Sequence, residues 1–229
     1  MPWLTSARSA GLRPLSPAPS WGLEAILGRL CELSAAEPAV TLTPTLRLVR
    51  DAQQADETVA WITTTHSIFF PRDVMTFGID LHALVVVRAT RVEALGRAAD
   101  HLARSGGFGL IVVDLGSIHT PTHVALNPPV DTPLPMPLQS RLLGLAQKHR
   151  AAVVFLSRKT DDSPSLSSLV SLRGSVQRHS QDRRRLNYEV TALKDKQRAP
   201  GWSHTDTVLA PARHKCAAST PRLHVLTTA

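Results

Sequence analysis

The chain has 229 residues, 43% of them apolar, and carries a formal net charge of +8. That length suits one α/β domain with appendages, and ten aromatic residues imply a core built mainly of aliphatic side chains. No run approaches the roughly 20 apolar residues a membrane helix needs. The amino end lacks the apolar core of an export signal, so a cytoplasmic protein is expected. Cys31 and Cys216 have no cysteine neighbour at metal-ligand spacing, which argues against a thiolate metal site, and a structural disulfide is not expected.

Residues 1–20, rich in Ser, Pro and Arg, read as a flexible segment, 21–201 as the core domain and 202–229 as a basic tail. Within the core, strand-like and helical runs alternate. Leu30–Leu33 reads as a strand, and a helix is predicted over Pro44–Ala55, with Thr43 as N-cap and Pro44 in its first turn. Thr58–Ile62, a short helix near Arg72–Phe77, and Ala83–Val87 follow. The next helix, Val92–Ser105, places Val92, Leu95, Ala99, Leu102 and Ala103 on one face. Strand Leu110–Asp114, helix Leu138–His149 and strand Ala151–Leu156 complete the alternation. Apolar runs such as Leu84–Val87 and Val153–Leu156 suit strands covered on both faces, so the expected fold is a three-layer α/β core around a mostly parallel sheet. Leu169–Val176 and Tyr188–Leu193 then read as an antiparallel pair joined by an arginine-rich turn. Beyond Ser203 the chain reads as a tail or a last edge strand near Leu223–Leu226.

The segment joining the first strand to the first long helix is where an α/β protein of this pattern would grip a phosphate. A phosphate cradle needs glycines to curl successive N–H groups around the anion, a lysine for the outer phosphates and a Ser/Thr for magnesium. Ala35, Ala36, Glu37, Pro38, Ala39, Val40, Thr41, Leu42 and Thr43 supply neither glycine nor lysine. Pro38 has no N–H, and β-branched Val40 resists positive φ. The segment therefore reads as a degenerate phosphate loop, with no cofactor and no metal expected.

Charge is concentrated late in the chain. Arg173, Arg178, Arg183, Arg184, Arg185, Lys194, Lys196 and Arg198 face three acidic residues, Asp182, Glu189 and Asp195, over the same stretch. Such a region attracts nucleic acid or an acidic protein face; a solvated hairpin turn is the plainer reading. Without interleaved aromatics a dedicated single-strand binder is disfavoured. His119 and His123 flank Pro121, so they share no helix face for zinc, and neither a nucleophile elbow nor a dinucleotide fingerprint is present. Trp21, Trp61 and Trp202 read as anchors of the sheet and the domain ends.

Several strings, in order, resemble the RecA recombinase core. Gly28-Arg29-Leu30-Cys31-Glu32-Leu33 is similar to that family's Gly-Arg-Ile-Val-Glu-Ile, and Gly78-Ile79-Asp80-Leu81-His82-Ala83-Leu84 to its Gly-Val-Asp-Ile-Asp-Asn-Leu. Val92–Asp114 resembles the helix and aspartate strand, and Ala192–Pro200 the late Val-Lys-Asn-Lys-Ile-Ala-Ala-Pro run. The resemblance covers about Trp21 to Gly201. It implies that Thr65 stands where the family has the glutamate that activates water, and Arg158 where a glutamine senses the γ-phosphate. A threonine hydroxyl is no substitute base near neutral pH. Asp114 becomes a relic of magnesium binding or a satisfied strand-end residue. Lys194 and Lys196 match lysines that reach a neighbour's ATP, and segments 116–137 and 158–168 match DNA-holding loops without their glycines and cations.

Among RecA-like chains this one resembles the ImuA group. The resemblance implies a non-catalytic adaptor in the SOS response, favouring error-prone translesion synthesis over recombination. The implied partners are RecA, an ImuB-type Y-family polymerase relative and, indirectly, an error-prone polymerase subunit. Direct DNA contact and association with the nucleoid are further expectations. A SulA-like inhibitor of the tubulin-like division protein, or an unorthodox ATPase using Asp114 with Lys194 and Lys196, are the alternatives.

Overall fold

The computed structural model describes residues 20–65, 67, 69–115, 134–182, 185–209 and 225–228. Among them, nine strands form one sheet in the order β8-β7-β6-β1-β5-β4-β2-β3-β9. The strands are β1 (Leu30–Ala35), β2 (Val59–Thr64), β3 (Leu84–Ala89), β4 (Leu110–Asp114), β5 (Ala152–Arg158), β6 (Leu172–Asp182), β7 (Arg185–Asp195), β8 (Ser203–Leu209) and β9 (Val225–Thr228). β6, β1, β5, β4, β2, β3 and β9 are parallel, whereas β7 pairs antiparallel with both β6 and β8. The expected three-layer core with antiparallel strands toward its C-terminal end is present.

Alternation along the strands separates two apolar layers. Cys31, Leu33, Trp61, Val112 and Val154 face α1 (Leu23–Ile26) and α2 (Pro38–Gln54), while Leu30, Ile62, Ile111, Val153 and Phe155 face α4 (Val92–Ser105) and α5 (Met136–His149). The short α3 (Pro71–Met75) lies on the α2 side, where Phe69 stacks on Trp61 with ring centroids 4.8 Å apart. Cys31 is wholly buried, and desolvation pushes its thiol up to about 12, so it behaves as a small apolar residue.

α4 ends where the sequence places it, because Gly106 adopts φ +68 and closes the last turn on the Ala103 carbonyl. α2 does not begin where expected. It starts at Pro38, six residues early, and Pro44 lies inside it rather than in its first turn. Both prolines are acceptable first-turn residues, and Thr-Leu-Thr-Pro-Thr has weak helix propensity. Burial overrides that propensity: Thr41, Thr43, Pro44 and Thr45 are all buried. The Thr41 and Thr45 hydroxyls donate back to the carbonyls of Pro38 (2.8 Å) and Thr41 (2.7 Å).

The core also extends beyond its expected end at Gly201. Residues 203–209 form β8, an integral strand, so the tail assignment for 202–229 does not hold there. Residues 1–19, most of the segment expected to be flexible, lie outside the described residues, as do His119, His123, Arg183, Arg184 and Cys216. Among the described residues no helix is long and apolar enough to cross a membrane.

Two ionic ties each join neighbouring elements within one layer, α4 to α5 and the start of β1 to the end of β7. Asp100 of α4 accepts from Arg104 (3.0 Å) and from Arg141 of α5 (2.6 Å). Arg29 and Asp195 pair at 2.7 Å with both side chains buried, and Trp202 donates to the same carboxylate. Burial raises each carboxyl. Hydrogen bonds from Arg141 and Arg104 to Asp100, and from the Gln197 backbone, Arg29 and Trp202 to Asp195, outweigh it and hold both below the usual carboxylate range. A depressed folded-state value stabilises the protein above the unfolded value of about 4 and loses that contribution as pH falls through the folded value. Urea unfolding between pH 7 and pH 3 is therefore expected to show falling stability below about pH 4. Asp100→Asn should lower the plateau and flatten that acid slope.

Candidate functional site

The parallel strands β1, β5, β4 and β2 end together, and their C-terminal edge is where ligands bind in open α/β sheets. Two residues, Ala36 and Glu37, separate β1 from α2. The expected loop over 35–43 is thus corrected: Ala35 is the last residue of β1, and Pro38, Ala39, Val40, Thr41, Leu42 and Thr43 form the opening turns of the helix. Arg158, at the end of β5, donates from Nε to the Ala36 carbonyl at 3.2 Å. These residues do not fit a nucleoside triphosphate. A two-residue turn cannot present the run of N–H groups that surrounds a phosphate, and Pro38 removes one of them.

Asp114 ends β4 and is buried. It accepts hydrogen bonds from the hydroxyls of Thr63 (3.0 Å) and Ser67 (3.2 Å), so its carboxylate is engaged by its neighbours. Thr65, just past β2, is exposed and donates its N–H to the Ala89 carbonyl. Among the described residues no three His, Cys, Asp or Glu side chains are grouped to hold a metal ion.

The chemistry beside this edge is a buried polar network instead. Glu32, in the middle of β1, is fully buried and pairs with Lys159 at 2.7 Å. Its carboxylate also accepts from the Ser157 hydroxyl (2.7 Å) and the Leu166 N–H (2.9 Å), and Lys159 donates further to the Pro164 carbonyl (2.9 Å). Arg173 of β6 is 3% exposed and donates to Ser34 Oγ (3.2 Å) and to the carbonyls of Thr160 (2.8 Å) and Ser163. Lys194 and Lys196 donate to the Ser167 (3.2 Å) and Ser168 (2.6 Å) carbonyls. Burial, with repulsion from Lys196 and Arg173, holds Lys194 below the usual lysine range despite attraction from Glu32. Residues 159–168, within the 158–168 segment that matches a DNA-holding loop of the family without its glycines and cations, form a strap fastened to β1, β6 and β7.

The basic residues grouped in sequence therefore separate in space. Arg173 is structural, because its guanidinium is consumed inside the protein. Lys194 and Lys196 fasten the strap. Arg178 and Arg185 are exposed on the β6–β7 hairpin, which continues beyond the C-terminal edge of the sheet. Arg198 lies at the hairpin's other end, where a cavity of about 300 Å³ is bordered by Glu24, Arg29, Arg150, Asp195 and Trp202. Glu32 and Lys159 were missed in the sequence. A charged residue inside the apolar run Leu-Cys-Glu-Leu is the signal, since a buried carboxylate requires a cationic or hydrogen-bonding partner.

Residues 18–160, more than half of the chain, match the RecA N-terminal domain. The chain belongs to the RecA N-terminal domain family. The RecA protein of Acinetobacter baylyi is 30% identical over 139 residues, covering 57% of this chain and 39% of that protein. The RecA protein of Fusobacterium nucleatum is 28% identical over 139 residues, covering 57% of this chain and 36% of that one. The matched region thus spans less than two fifths of the length of these relatives. Among solved structures, the RadB recombinase superposes with a TM-score of 0.59 over 79% of this chain and 87% of that chain, at 14% identity, a likeness of fold. The RecA-family scaffold is present, with a two-residue turn between β1 and α2.

Lys159→Met leaves Glu32 buried without its counter-charge and is expected to cost roughly 3–5 kcal/mol in urea unfolding. Replacing both partners, Glu32→Met with Lys159→Met, should recover part of that loss, because no charge is then stranded.

Proposed function

We propose that this chain is a RecA-shaped adaptor of the ImuA type that works without nucleotide hydrolysis in SOS-induced damage tolerance. The observation that carries the reading is the two-residue β1–α2 turn, held by Arg158 on the Ala36 carbonyl. A scaffold that keeps the family's sheet but offers triphosphate no cradle can dock against RecA-like surfaces without cycling between nucleotide states. The engaged state of Asp114 and the absence of a carboxylate at Thr65 point the same way.

On this reading the chain binds RecA and an ImuB-type Y-family polymerase relative, restrains recombination and favours error-prone synthesis at the nucleoid. The exposed arginines of the β6–β7 hairpin, with Arg183 and Arg184 between them in sequence, offer a cationic surface for DNA or an acidic partner.

Pairwise binding of the purified chain to RecA and to the ImuB-type protein of the same cell tests the reading; failure to bind either one overturns it. Titration with ATP and magnesium should give no binding heat. If DNA is bound directly, replacing Arg178, Arg183, Arg184 and Arg185 with alanine should weaken binding. Its logarithmic salt slope should then fall by about 0.9 for each phosphate no longer neutralised.

A further inference from the structure

β8 ends the sheet on the side away from β9, and among the described residues β7 is the strand that pairs with it. Its sequence, Ser203-His204-Thr205-Asp206-Thr207-Val208-Leu209, contains neither proline nor lysine, and it pairs with β7 without a register shift. Prolines, lysines and bulges are the usual devices that blunt an exposed edge.

Alternation along the strand decides which backbone groups face outward. The Trp202 carbonyl accepts from the Ala192 N–H, so His204 and then Asp206 turn their backbone groups toward β7. Ser203, Thr205 and Thr207 therefore present theirs to the open side. Consistent with this, the Thr207 N–H is met by the Asp206 carboxylate of its own strand at 2.7 Å.

The side chains alternate as well. Asp206 and Val208 lie on the α2 face, where Asp206 accepts from the Tyr188 hydroxyl (3.3 Å) and sits 3.5 Å from Arg47. His204, two residues earlier, shares that face, whereas Ser203, Thr205 and Thr207 are exposed on the other.

This strand is complementary to itself. Turned about a two-fold axis normal to the sheet at Thr205, a second copy sets Ser203 opposite Thr207 and His204 opposite Asp206. An imidazole then meets a carboxylate twice on the α2 face, and hydroxyls meet hydroxyls on the other, both favourable cross-strand pairs. The neighbouring registers that keep the outward groups paired set His204 against His204 or Asp206 against Asp206. Like groups directly opposite are unfavourable, so the pattern selects the register centred on Thr205.

We propose that the outer edge of β8 is an interface with a second copy of this chain, residues 203–207 of the two copies pairing antiparallel about Thr205. About six backbone hydrogen bonds close between the outward groups. The Thr207 N–H passes from Asp206 to the partner's Ser203 carbonyl, which releases that carboxylate oxygen for the partner's His204. Because the same patch serves both copies, assembly through it closes at two. The inference does not rest on the adaptor reading, since it concerns self-association alone.

Sedimentation equilibrium of the full chain is expected to show a concentration-dependent shift from one copy to two. Thr205→Pro removes an outward N–H and none that bonds β7, so it should weaken association about tenfold or more with the melting transition retained. His204→Asp sets carboxylate against carboxylate and should weaken association too; adding Asp206→His reverses the pair and should restore it. In a Cys216→Ser background, Thr205→Cys should form a disulfide-linked species of twice the mass under mild oxidation. Opposed residues of a hydrogen-bonded pair lie about 5.5 Å apart at Cα, within disulfide reach. Cys31 is wholly buried and does not compete, and Gln177→Cys, exposed on β6, should stay unlinked. A full chain that is monomeric at every concentration leaves the edge to another occupant and overturns the proposal. So does association that survives Thr205→Pro, or a Thr205→Cys chain that links no faster than the Gln177→Cys chain.

Discussion

The buried pair of Glu32 and Lys159 fixes much of what surrounds the C-terminal edge of the sheet. Two charges removed from water each lose several kcal/mol of hydration, and mutual attraction offsets this when the remaining lone pairs and protons are also satisfied. Here they are: Ser157, the Leu166 N–H and the Pro164 carbonyl complete the shell. To bring these groups together, residues 159–168 must fold back over β1, which draws the strap under Arg173, Lys194 and Lys196. One carboxylate in the middle of a strand thereby fastens a surface segment to the sheet, with Lys159 buried and the residues after it exposed or half-exposed.

The opposite side of the same edge obeys a different constraint. α2 begins two residues after β1, so the space above that strand holds helical backbone and threonine hydroxyls bonded to it. The positive end of the helix dipole remains, but without a glycine-rich turn it lacks the converging N–H groups that make an anion site selective. Family membership and loss of the cradle are compatible, because the sheet and its two apolar layers depend on strand pairing and burial, neither of which needs the loop.

Much of the fold was legible because period and composition are local. The aliphatic runs at Leu84–Val87 and Val153–Leu156 announced doubly covered strands, and the apolar stripe of Val92–Ser105 announced its helix to the residue. The start of α2 was not legible. Two prolines competed for the first turn, and the threonines between them favour extended backbone until packing buries them. The basic cluster misled for a related reason: counting charge along 173–198 ignores that a hairpin places its two ends about ten residues of strand apart, while β6 directs Arg173 inward.

By itself the amino-acid sequence determined the alternation of elements, the aliphatic two-sided core and the lack of glycine and lysine where a phosphate would bind. Those properties follow from residue type and spacing alone. The tertiary structure decided the remainder: the length of the β1–α2 turn, the partners of Glu32 and Asp195, the inward course of Arg173, and the strands that close each edge of the sheet. Each of these depends on which distant segments meet, since the free energy of a buried charge or an unpaired strand edge is set by what lies against it rather than by its neighbours in the chain.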